Sequence, residues 1–463
     1  MIPTRHYAGE RVVVMGLGKS GLSAAESLRA SGADVRVWDD HPAQLAKVIT
    51  NGFTAFDGTR PDFSGIRALV WSPGVPHTFP KPHPIAERAR AANVSLSCDV
   101  DLLLESQPNA EVVGITGTNG KSTTTELIAN LFRCAGRKVA VGGNLGTPAL
   151  HLEPLGLGGT YVLELSSYQL ELVPHLSCAT AVLLNISPDH LDRHGGMEGY
   201  IAAKRRIFES QRSPRTAIIS IDDDISATLC TELIADGVHN VIPISGRQSI
   251  SGGVYVEKGL LIDSTSSQPI TLMDLKTAPT LSGIHNWQNA AAATAVALSH
   301  GITTDVIVSG ICKFPGLKHR QELVATVGNT VFINDSKATN VVAAEKALLC
   351  YENIYWIAGG RAKDSSIDSL NPVFPRIRQA FLVGESAAKF TDHLEDHVPY
   401  TLYEDLKAAV KAAGQAALSD KNPATVLLSP ACASFDMFEN FEKRGDCFRN
   451  EVLSLWPPEK VQS

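Results

Sequence analysis

The segment from residue 112 to residue 125, VVGITGTNGKSTTT, contains the side chains with the clearest chemistry in this chain. An apolar, β-branched run ends in a glycine turn, and Lys121 and Ser122 follow directly at the start of a predicted helix. The backbone N–H groups of such a turn and the N-terminus of the helix favour anionic groups. In nucleotide-binding loops of this kind the lysine reaches the β- and γ-phosphates, and the hydroxyl lies on Mg²⁺. The segment therefore predicts a nucleoside triphosphate site with a shortened loop, because Ile115 stands where the longer form has its first glycine.

A second glycine loop lies near the N-terminus, where GLGKSG (16–21) follows one predicted strand and begins a helix. Asp39 ends the next predicted strand, a spacing typical of dinucleotide folds, in which the carboxylate binds a ribose diol. A nicotinamide-dependent dehydrogenase is therefore one hypothesis. The other is a loop that holds the diphosphate of a nucleotide or a nucleotide-sugar. The triphosphate loop further along the chain and the turn WSPGV (71–75) favour the second hypothesis, but the loop alone does not separate the two.

Chemically active side chains also occur at other places in the middle of the chain. Glu164 ends an apolar run, where a buried carboxylate is costly unless it is paired or binds a cation. His190 follows the next such run, and Lys204 lies among apolar residues on a predicted helix. Asn286 and Asn289 are three residues apart, on one face of a further helix. Singly these could be a loop histidine, a surface lysine with a buried stem and a helix-capping asparagine; together, after a triphosphate loop, they favour a catalytic site.

Length and composition set broad limits on the protein class. The 463 residues predict about three domains, and 44% hydrophobic with 19% charged residues is typical of a soluble globular chain. A net charge of -7 argues against a nucleic-acid-binding protein. The eight cysteines are scattered without a Cys-x-x-Cys pair, which argues against a cysteine metal site or disulfide framework. We also find no apolar run of membrane-spanning length and no signal peptide, so we expect a cytoplasmic protein without a membrane partner.

Short apolar runs alternate with helix-like segments along the chain, which predicts parallel sheets with helices on both faces. Ligands of such sheets bind at the carboxyl ends of the strands. The Gly/Ser/Thr-rich stretch 241–275 is predicted to be an insertion of small antiparallel strands, and the segment from Trp456 a frayed tail. Eleven examples of the predicted strands are 11–15, 34–37, 68–71, 111–116, 138–141, 160–164, 179–185, 217–221, 353–358, 379–383 and 425–429.

The chain resembles the Mur ligase family over nearly its whole length. The motifs that carry the resemblance follow one another in order: GTNGKS (117–122), GGNLG (142–146), ELSSYQLE (164–171), NISPDHLD (185–192), GxHNxxN (283–289), FPGLxHR (314–320), NDSKATN (334–340) and SPACASFD (429–436), followed by Phe441, Arg444 and Gly445. The segments SSYQLE and SPACAS resemble the branch of the family that adds D-glutamate. The shortened triphosphate loop is itself the family form. Ala362 departs from the family, which often has a glycine before the lysine that stands here as Lys363.

The resemblance implies an α/β fold of three domains. These are a Rossmann-like N-terminal domain for a uridine-diphosphate substrate (1–99), a central P-loop mononucleotide-binding domain for ATP and catalysis (100–315), and a Rossmann-like C-terminal domain for the amino acid (316–463). It implies an ATP-dependent ligase that adds D-glutamate to UDP-N-acetylmuramoyl-L-alanine through an acyl phosphate, in peptidoglycan precursor synthesis. We expect ATP and Mg²⁺, with two ions, as cofactors, and a monomer with small-molecule partners only. A folylpolyglutamate-type ligase, a nucleotide-sugar-binding regulator and the dehydrogenase are the alternatives.

The resemblance also implies a role for individual residues. Catalysis would use Lys121, Lys204 and His190. ATP would be bound by Gly117, Thr118, Asn119, Gly120, Lys121, Ser122, Thr123, Asn286, Asn289, Arg320 and Asp335. The UDP substrate would be bound by Leu17, Gly18, Ser20, Asp39, Ser72, Gly74, Asn144 and His190. D-Glutamate would be bound by Lys337, Thr339, Lys363, Ser434 and the backbone of Phe441. Metal ions would be held by Ser122, Glu164, His190 and Lys204, the last as a carbamate.

Overall fold

Three sheets organise the part of the chain that the structure describes. The computed structural model describes residues 1–144, 146–174, 176–281, 283–362 and 366–457. The chain divides into two compact units. The first unit contains Met1–Thr277 and Ile284–Lys313, and the second contains Ala278–Gly283 and the chain from Phe314 onward. The first two sheets lie in the first unit, and the third sheet lies in the second.

The first sheet is entirely parallel, with the order β3-β2-β1-β4-β5. Its central strand has the sequence RVVVM, whose four apolar residues are all buried, as expected for a strand with helices on both faces. Its strands are β1 (Arg11–Met15), β2 (Asp34–Trp38), β3 (Thr54–Ala55), β4 (Ile66–Trp71) and β5 (Leu96–Ser97). Its helices are α1 (Lys19–Ala30), α2 (Pro42–Thr50), α3 (Pro84–Ala91) and α4 (Asp99–Ser106).

The middle sheet has nine strands in the order β14-β13-β12-β11-β10-β9-β6-β8-β7. The pairs from β7 to β12 are parallel, and β12, β13 and β14 pair antiparallel at one edge. Its strands are β6 (Glu111–Thr116), β7 (Val139–Gly143), β8 (Thr160–Glu164), β9 (Thr180–Leu183), β10 (Thr216–Ser220), β11 (Asn240–Ser245), β12 (Val254–Glu257), β13 (Leu260–Asp263) and β14 (Ile270–Asp274). Its helices are α5 (Lys121–Cys134), α6 (Ser167–Leu170), α7 (Leu191–His194), α8 (Met197–Arg205), α9 (Asp224–Asp236), α10 (Ile284–Ser299) and α11 (Thr304–Cys312).

The third sheet, in the second unit, has the order β15-β16-β20-β17-β18-β19. Only its β15–β16 pair is antiparallel. Its strands are β15 (Glu322–Val327), β16 (Thr330–Asn334), β17 (Ile354–Gly359), β18 (Ile377–Val383), β19 (Tyr400–Leu402) and β20 (Ala424–Leu428). Its helices are α12 (Val341–Leu348), α13 (Ala387–Leu394), α14 (Leu406–Leu418) and α15 (Phe441–Leu455).

All eleven predicted strands form, with bounds within two residues of those predicted. The small antiparallel strands predicted within 241–275 form as β12, β13 and β14, and they extend the middle sheet. The prediction is wrong at the start of this stretch, because β11 pairs parallel with β10 and β12. The prediction of parallel sheets also fails at β15–β16, where a short turn joins two neighbouring antiparallel strands directly.

Trp456, the first residue of the predicted frayed tail, packs against the fold, and residues 458–463 of that tail lie outside the described residues. Helix α15 continues to Leu455, and the Trp456 ring stacks on Phe332 with 4.9 Å between ring centroids. A Cβ added at Gly414 of α14 would lie 2.1 Å from the Trp456 ring. The tryptophan therefore packs against both the sheet and a helix, and the apolar area that it buries holds α15 in place.

Candidate active site

Strand register brings the chemically active residues of the middle sheet to one edge. Glu164, the last residue of β8, lies beside Ile115 of β6 on one side and Gly143 of β7 on the other. The glycine turn that begins at Gly117 and the loop that begins at Asn144 therefore start next to Glu164. This is the carboxyl edge of the sheet, where open α/β folds bind their ligands.

The predicted triphosphate loop connects β6 directly to α5. Gly117 and Gly120 have positive φ angles of 148° and 86°. A Cβ at Gly120 would lie only 2.3 Å from Asn289 Oδ1, so this position requires glycine for two reasons. Lys121 Nζ donates to the carbonyl oxygens of Gly117 and Thr118, both at 2.9 Å. The lysine ammonium therefore lies over its own loop, where it can reach a bound phosphate.

A second lysine lies beneath the same loop. Lys204, on α8, is 2% exposed, and its Nζ donates to the carbonyl oxygen of Gly117 at 2.8 Å and packs 4.7 Å from the Tyr200 ring centroid. Burial first, and then the charge of Lys121, lower the pKa of Lys204 from its usual 10.5 to about 7. The surface-lysine explanation is therefore wrong. Lys204 is a buried amine, a large fraction of which is neutral at pH 7.

Glu164 has one oxygen in use and one without a partner. Asn144 Nδ2 donates to Glu164 Oε1 at 2.7 Å, and the backbone N–H of Asn144 donates to the Glu164 carbonyl at 2.9 Å. Glu164 Oε2 is buried and accepts no hydrogen bond from the described residues. A buried carboxylate oxygen without a donor fits a hard cation. The described residues contain no group of three His, Cys, Asp or Glu side chains placed to hold a metal, and the predicted ligand set includes only Glu164 and His190 of these types.

The backbone conformation of the loop before α7 determines the position of His190. It stands before α7 in a left-handed conformation, with φ 53°, and its side chain is 52% exposed. Its ring lies 5.2 Å from that of Tyr168, and its Nε2 lies 3.5 Å from Asp189 Oδ2. The imidazole is thus available to a ligand, although it does not line the cavity described next.

Seven of the eight residues predicted for the UDP substrate line one cavity of about 530 Å³. The six from the first sheet are Leu17, Gly18, Ser20, Asp39, Ser72 and Gly74, and the seventh is Asn144. One wall of the cavity is therefore formed by the glycine loop and by the turns after β2 and β4 of the first sheet. Its other wall is formed by the loop after β7 and by the start of α6.

Asp39 shapes the glycine loop of the first sheet. Its Oδ2 accepts from the backbone N–H of Leu17 at 2.7 Å, and its Oδ1 accepts from that of His41 at 2.9 Å. Ser72 donates to the carbonyl oxygen of Gly16 at 2.9 Å from the neighbouring strand end. Both Asp39 oxygens are thus in contact with backbone N–H groups that hold the turn around the cavity.

The two predicted asparagines lie together on α10 and contact α5. Asn289 Nδ2 donates to Asn286 Oδ1 at 3.1 Å, and Thr124 donates to Asn289 Oδ1 at 3.1 Å. Both asparagines are buried. Asn286 is inside the helix, so the helix-capping explanation is wrong.

The sequence reasoning missed three polar residues that support the triphosphate loop. Asn185 accepts from the backbone N–H of Asn119 at 2.8 Å and donates to its carbonyl oxygen at 3.1 Å. Gln288 accepts from Asn185 at 2.9 Å and donates to Asp222 Oδ2 at 2.8 Å. Asn185 and Gln288 lie within motifs that carry the family resemblance, whereas no sequence signal marked Asp222.

In the second unit, several predicted residues gather around the end of β16. Asp335 follows the strand, Lys337 donates its backbone N–H to His319 at 2.9 Å, and its Nζ lies 5.7 Å from the Phe441 ring centroid. The backbone N–H of Thr339 donates to the carbonyl oxygen of Lys337 at 2.8 Å. Ser434 is buried, Arg320 lies in the turn before β15, and Lys363 lies outside the described residues.

Arg444 organises this part of the second unit, a role that the sequence did not indicate. It is 1% exposed, and its guanidinium donates to the side chain and the carbonyl of Ser336 at 3.0 and 2.8 Å and to the carbonyl of Cys432 at 3.0 Å. Ser336 in turn donates to the carbonyl oxygen of Phe441 at 2.8 Å. One buried arginine therefore ties together the segments that carry Lys337, Ser434 and Phe441.

Asp335 predicts a measurable pH dependence of stability. Its carboxylate accepts from Ser429 Oγ at 2.9 Å and from the backbone N–H of Gln321 at 3.2 Å, but burial raises its pKa from 3.8 to about 7. Because the folded state binds the Asp335 proton more tightly than the unfolded state does, the protonated carboxyl contributes stability to the fold. This contribution is fully present below about pH 4 and is lost as the pH rises through 7. We expect the melting temperature of Asp335→Asn, relative to wild type, to increase between pH 4 and pH 8 in a thermal unfolding series. A constant difference across that range would contradict the buried titration.

Comparisons with known proteins cover nearly the whole chain. Three family models match it in order: the Mur ligase MurD-like N-terminal domain at residues 10–96, the Mur ligase middle domain at 115–297, and the Mur ligase glutamate ligase domain at 319–432. The UDP-N-acetylmuramoylalanine–D-glutamate ligase of Rhodospirillum rubrum is 51% identical over 461 residues, covering 98% of this chain and 97% of the relative. The ligase of the same name from Paramagnetospirillum magneticum is 49% identical, covering 98% and 99%.

Solved structures share the fold at low sequence identity. The UDP-N-acetylmuramate-alanine ligase of Thermotoga maritima has a TM-score of 0.59 at 16% identity, covering 96% of this chain and 99% of that one. MurF from Acinetobacter baumannii has a TM-score of 0.59 at 18% identity, covering 97% and 93%. Among the described residues, no helix has both the length and the apolar character needed to cross a bilayer.

Proposed function

This chain belongs to the Mur ligase family, and from that membership we propose that it is the ATP-dependent ligase that adds D-glutamate to UDP-N-acetylmuramoyl-L-alanine in peptidoglycan precursor synthesis. The observation that carries the proposal is the match over 98% of the chain to relatives named for this reaction, at about half of all positions. The site geometry agrees with it, because a triphosphate loop and a substrate cavity meet at one sheet edge. The glycine loop of the first sheet falls within the MurD-like domain, so it no longer favours a dehydrogenase.

The reaction proceeds in two steps that need no nucleophile from the protein. The acceptor carboxylate attacks the γ-phosphorus of ATP, so that ADP leaves and an acyl phosphate forms. The amine of D-glutamate then attacks the acyl carbon, inorganic phosphate leaves, and the amine loses a proton. Phosphoryl transfer of this kind depends on positioning and on neutralising charge. We assign both tasks to Lys121, and its position over the loop that would hold the β- and γ-phosphates supports the assignment.

Mg²⁺ fits the residues present, because Glu164 Oε2 is buried and no described residue donates a hydrogen bond to it. When bound, the metal supplies positive charge that offsets the negative charge on the phosphate oxygens. We assign Glu164 and Ser122 to one ion. We assign His190 and Lys204, the latter after carbamylation, to a second.

Lys204 fits carbamylation through its burial and its lowered pKa. A neutral amine attacks carbon dioxide, a nitrogen–carbon bond forms, and loss of one proton leaves a carbamate. With a pKa of about 7, roughly half of the Lys204 side chains are neutral at pH 7, whereas an ordinary lysine is almost fully protonated. The carbamate would place an anionic oxygen pair beneath the triphosphate loop, which is the type of ligand that Mg²⁺ prefers.

The cavity and the other predicted residues bind the remaining parts of the substrates in this proposal. The cavity of about 530 Å³ takes the nucleotide-sugar, with the N–H groups of the first glycine loop on the diphosphate. We assign Asn286 and Asn289 to the adenine side of ATP. We assign Arg320 and Asp335 to its phosphate and ribose. Two lysines, at 337 and 363, bind the carboxylates of D-glutamate, with Thr339, Ser434 and the Phe441 backbone as further contacts. We propose domains at 1–99, 100–315 and 316–463, and a cytoplasmic monomer.

A coupled assay of phosphate release tests the function. ATP, Mg²⁺ and UDP-N-acetylmuramoyl-L-alanine are incubated with D-glutamate, L-glutamate, L-alanine or L-lysine in separate reactions. We expect release with D-glutamate only. Release with another amino acid would keep the ligase but change its amino-acid substrate, and no release with any of them would overturn the proposal.

A further inference from the structure

The substrate cavity has two walls that come from different sheets. Two loops of the first sheet, the glycine loop (17–20) and the start of the loop after β4 (72–75), form one wall, and Asn144 and the start of α6 form the other. An acceptor that binds by its diphosphate on the first wall and reacts beside Glu164 on the second must span a set distance. The contacts that join the two walls are therefore candidates for control of the reaction, since a misplacement of about 1 Å can reduce a rate about 100-fold.

One connection is a chain of three hydrogen bonds centred on Glu171. Glu171 Oε2 lies 3.1 Å from His77 Nε2, in the loop after β4, and Oε1 lies 2.8 Å from His194 Nδ1, at the end of α7. His194 is fully buried, and its Nε2 lies 2.9 Å from the hydroxyl of Ser167, the first residue of α6. The chain thus joins the first sheet, the helix after Glu164 and the helix after His190.

The donors in this chain can be assigned from chemistry. Arg90 Nη2 lies 2.9 Å from His77 Nδ1, and Arg90 Nη1 donates to the His77 carbonyl at 2.7 Å. A guanidinium only donates, so His77 Nδ1 must accept, and His77 must be neutral with its proton on Nε2. That proton is donated to Glu171. Burial raises the pKa of Glu171, but hydrogen bonds from His194 and His77 outweigh it and lower the pKa to about 2, so the carboxylate is ionised.

The second connection is Arg193, on α7. Its Nη1 donates to the carbonyl oxygen of Gly74, a wall residue, at 2.9 Å, and its Nη2 lies 3.5 Å from that of Pro73. Its guanidinium carbon lies 4.5 Å from the ring centroid of Tyr168, which lines the other wall. Tyr168 also stacks on His194, at 5.4 Å and 22°, and contacts His190 at 5.2 Å. Both connections therefore meet at the tyrosine beside His190.

We propose that His77, Glu171 and Arg193 are positioning residues that set the span between the two walls, so that an acceptor bound on the first wall is held beside Glu164 on the second. The proposal rests on the proposed function, because it needs an acceptor that touches both walls. These residues need not touch the reacting atoms. They act through Tyr168, through Ser167 and through the helix that follows His190.

The test separates binding at each wall from the reaction that needs both. We expect Glu171→Ala and His77→Ala to lower kcat/KM for UDP-N-acetylmuramoyl-L-alanine by about 10- to 100-fold. The Kd of UDP alone and that of ATP alone, measured by calorimetry, should stay within twofold of wild type, because each ligand touches only one side. Glu171→Gln should keep most of the activity. Its oxygen can accept from His77 and its amide can donate to His194, which then donates to Ser167 through Nε2.

Controls keep the outcomes distinct. His6 pairs with Glu105 at 2.9 Å away from the cavity, so His6→Ala should retain wild-type kcat/KM. If Glu171→Ala does not fold, Arg193→Ala decides, because its bond to Gly74 is exposed. A kcat/KM within threefold of wild type in the alanine variants would overturn the proposal. So would a parallel loss of UDP affinity, which would place the effect in the first wall alone. An inactive wild type would instead overturn the proposed function.

Discussion

Lys121→Ala should lower kcat for ATP-dependent phosphate release by about 10³-fold or more while the protein remains folded. The lysine donates to the carbonyl oxygens of Gly117 and Thr118 and so lies over the loop where the transferred phosphate would bind. Alanine keeps the helix start but removes a cation whose interaction is stronger in the transition state than in the ground state. Steady-state kinetics with saturating ATP would separate a loss of kcat from a loss of affinity.

Lys138→Ala is the matched control for that substitution. Lys138 precedes β7 at the opposite end of the strand from Asn144, and its Nζ donates to the carbonyl oxygen of Leu155 at 3.3 Å. We expect nearly unchanged kinetics for this variant and melting temperatures close to wild type for both. An active Lys121→Ala protein would contradict the triphosphate-loop assignment. An equal loss of kcat in Lys138→Ala would indicate that removing either lysine disturbs the fold.

Lys204→Ala should be nearly inactive, with a kcat reduced by about 10²- to 10³-fold, and should be partly restored by acetate or formate. The alanine leaves space beneath the Gly117 loop, which a short carboxylate can fill in place of a carbamate. Lys204→Met is the matched control, because its side chain fills that space and should prevent the rescue. An inactive alanine variant whose activity no carboxylate restores would contradict the carbamate and give Lys204 a structural role only.

The sign of the pH dependence follows from the lowered pKa of Lys204. At fixed carbon dioxide, activity should fall as the pH drops below about 7, because the protonated amine cannot form a carbamate. The uncarbamylated amine also costs stability when protonated, and this cost is greatest below pH 7 and disappears above about 10.5. Without carbon dioxide, Lys204→Met should therefore raise the melting temperature more at pH 6 than at pH 9. An equal increase at both values would contradict the buried titration.

The sequence by itself determined eleven of the strands and the triphosphate loop. Apolar runs such as RVVVM and the glycines at 117 and 120 act through local properties, namely side-chain periodicity and backbone freedom, which a linear pattern records. The ordered motifs indicated the family for the same reason, since each is a short segment with its own chemistry. All eleven predicted strands were therefore found within two residues.

Only the tertiary structure decided what the individual side chains can do. Lys204 is a buried amine whose Nζ donates to the carbonyl oxygen of Gly117, a residue 87 positions earlier in the chain. Glu164 Oε2 is buried at a strand end with a neighbouring strand on each side, and no described residue donates a hydrogen bond to it. The support of the loop by Asn185, the packing of Trp456 and the chain centred on Glu171 likewise join distant segments. Desolvation and charge depend on everything that surrounds a group in space, and spacing along the chain does not record those neighbours.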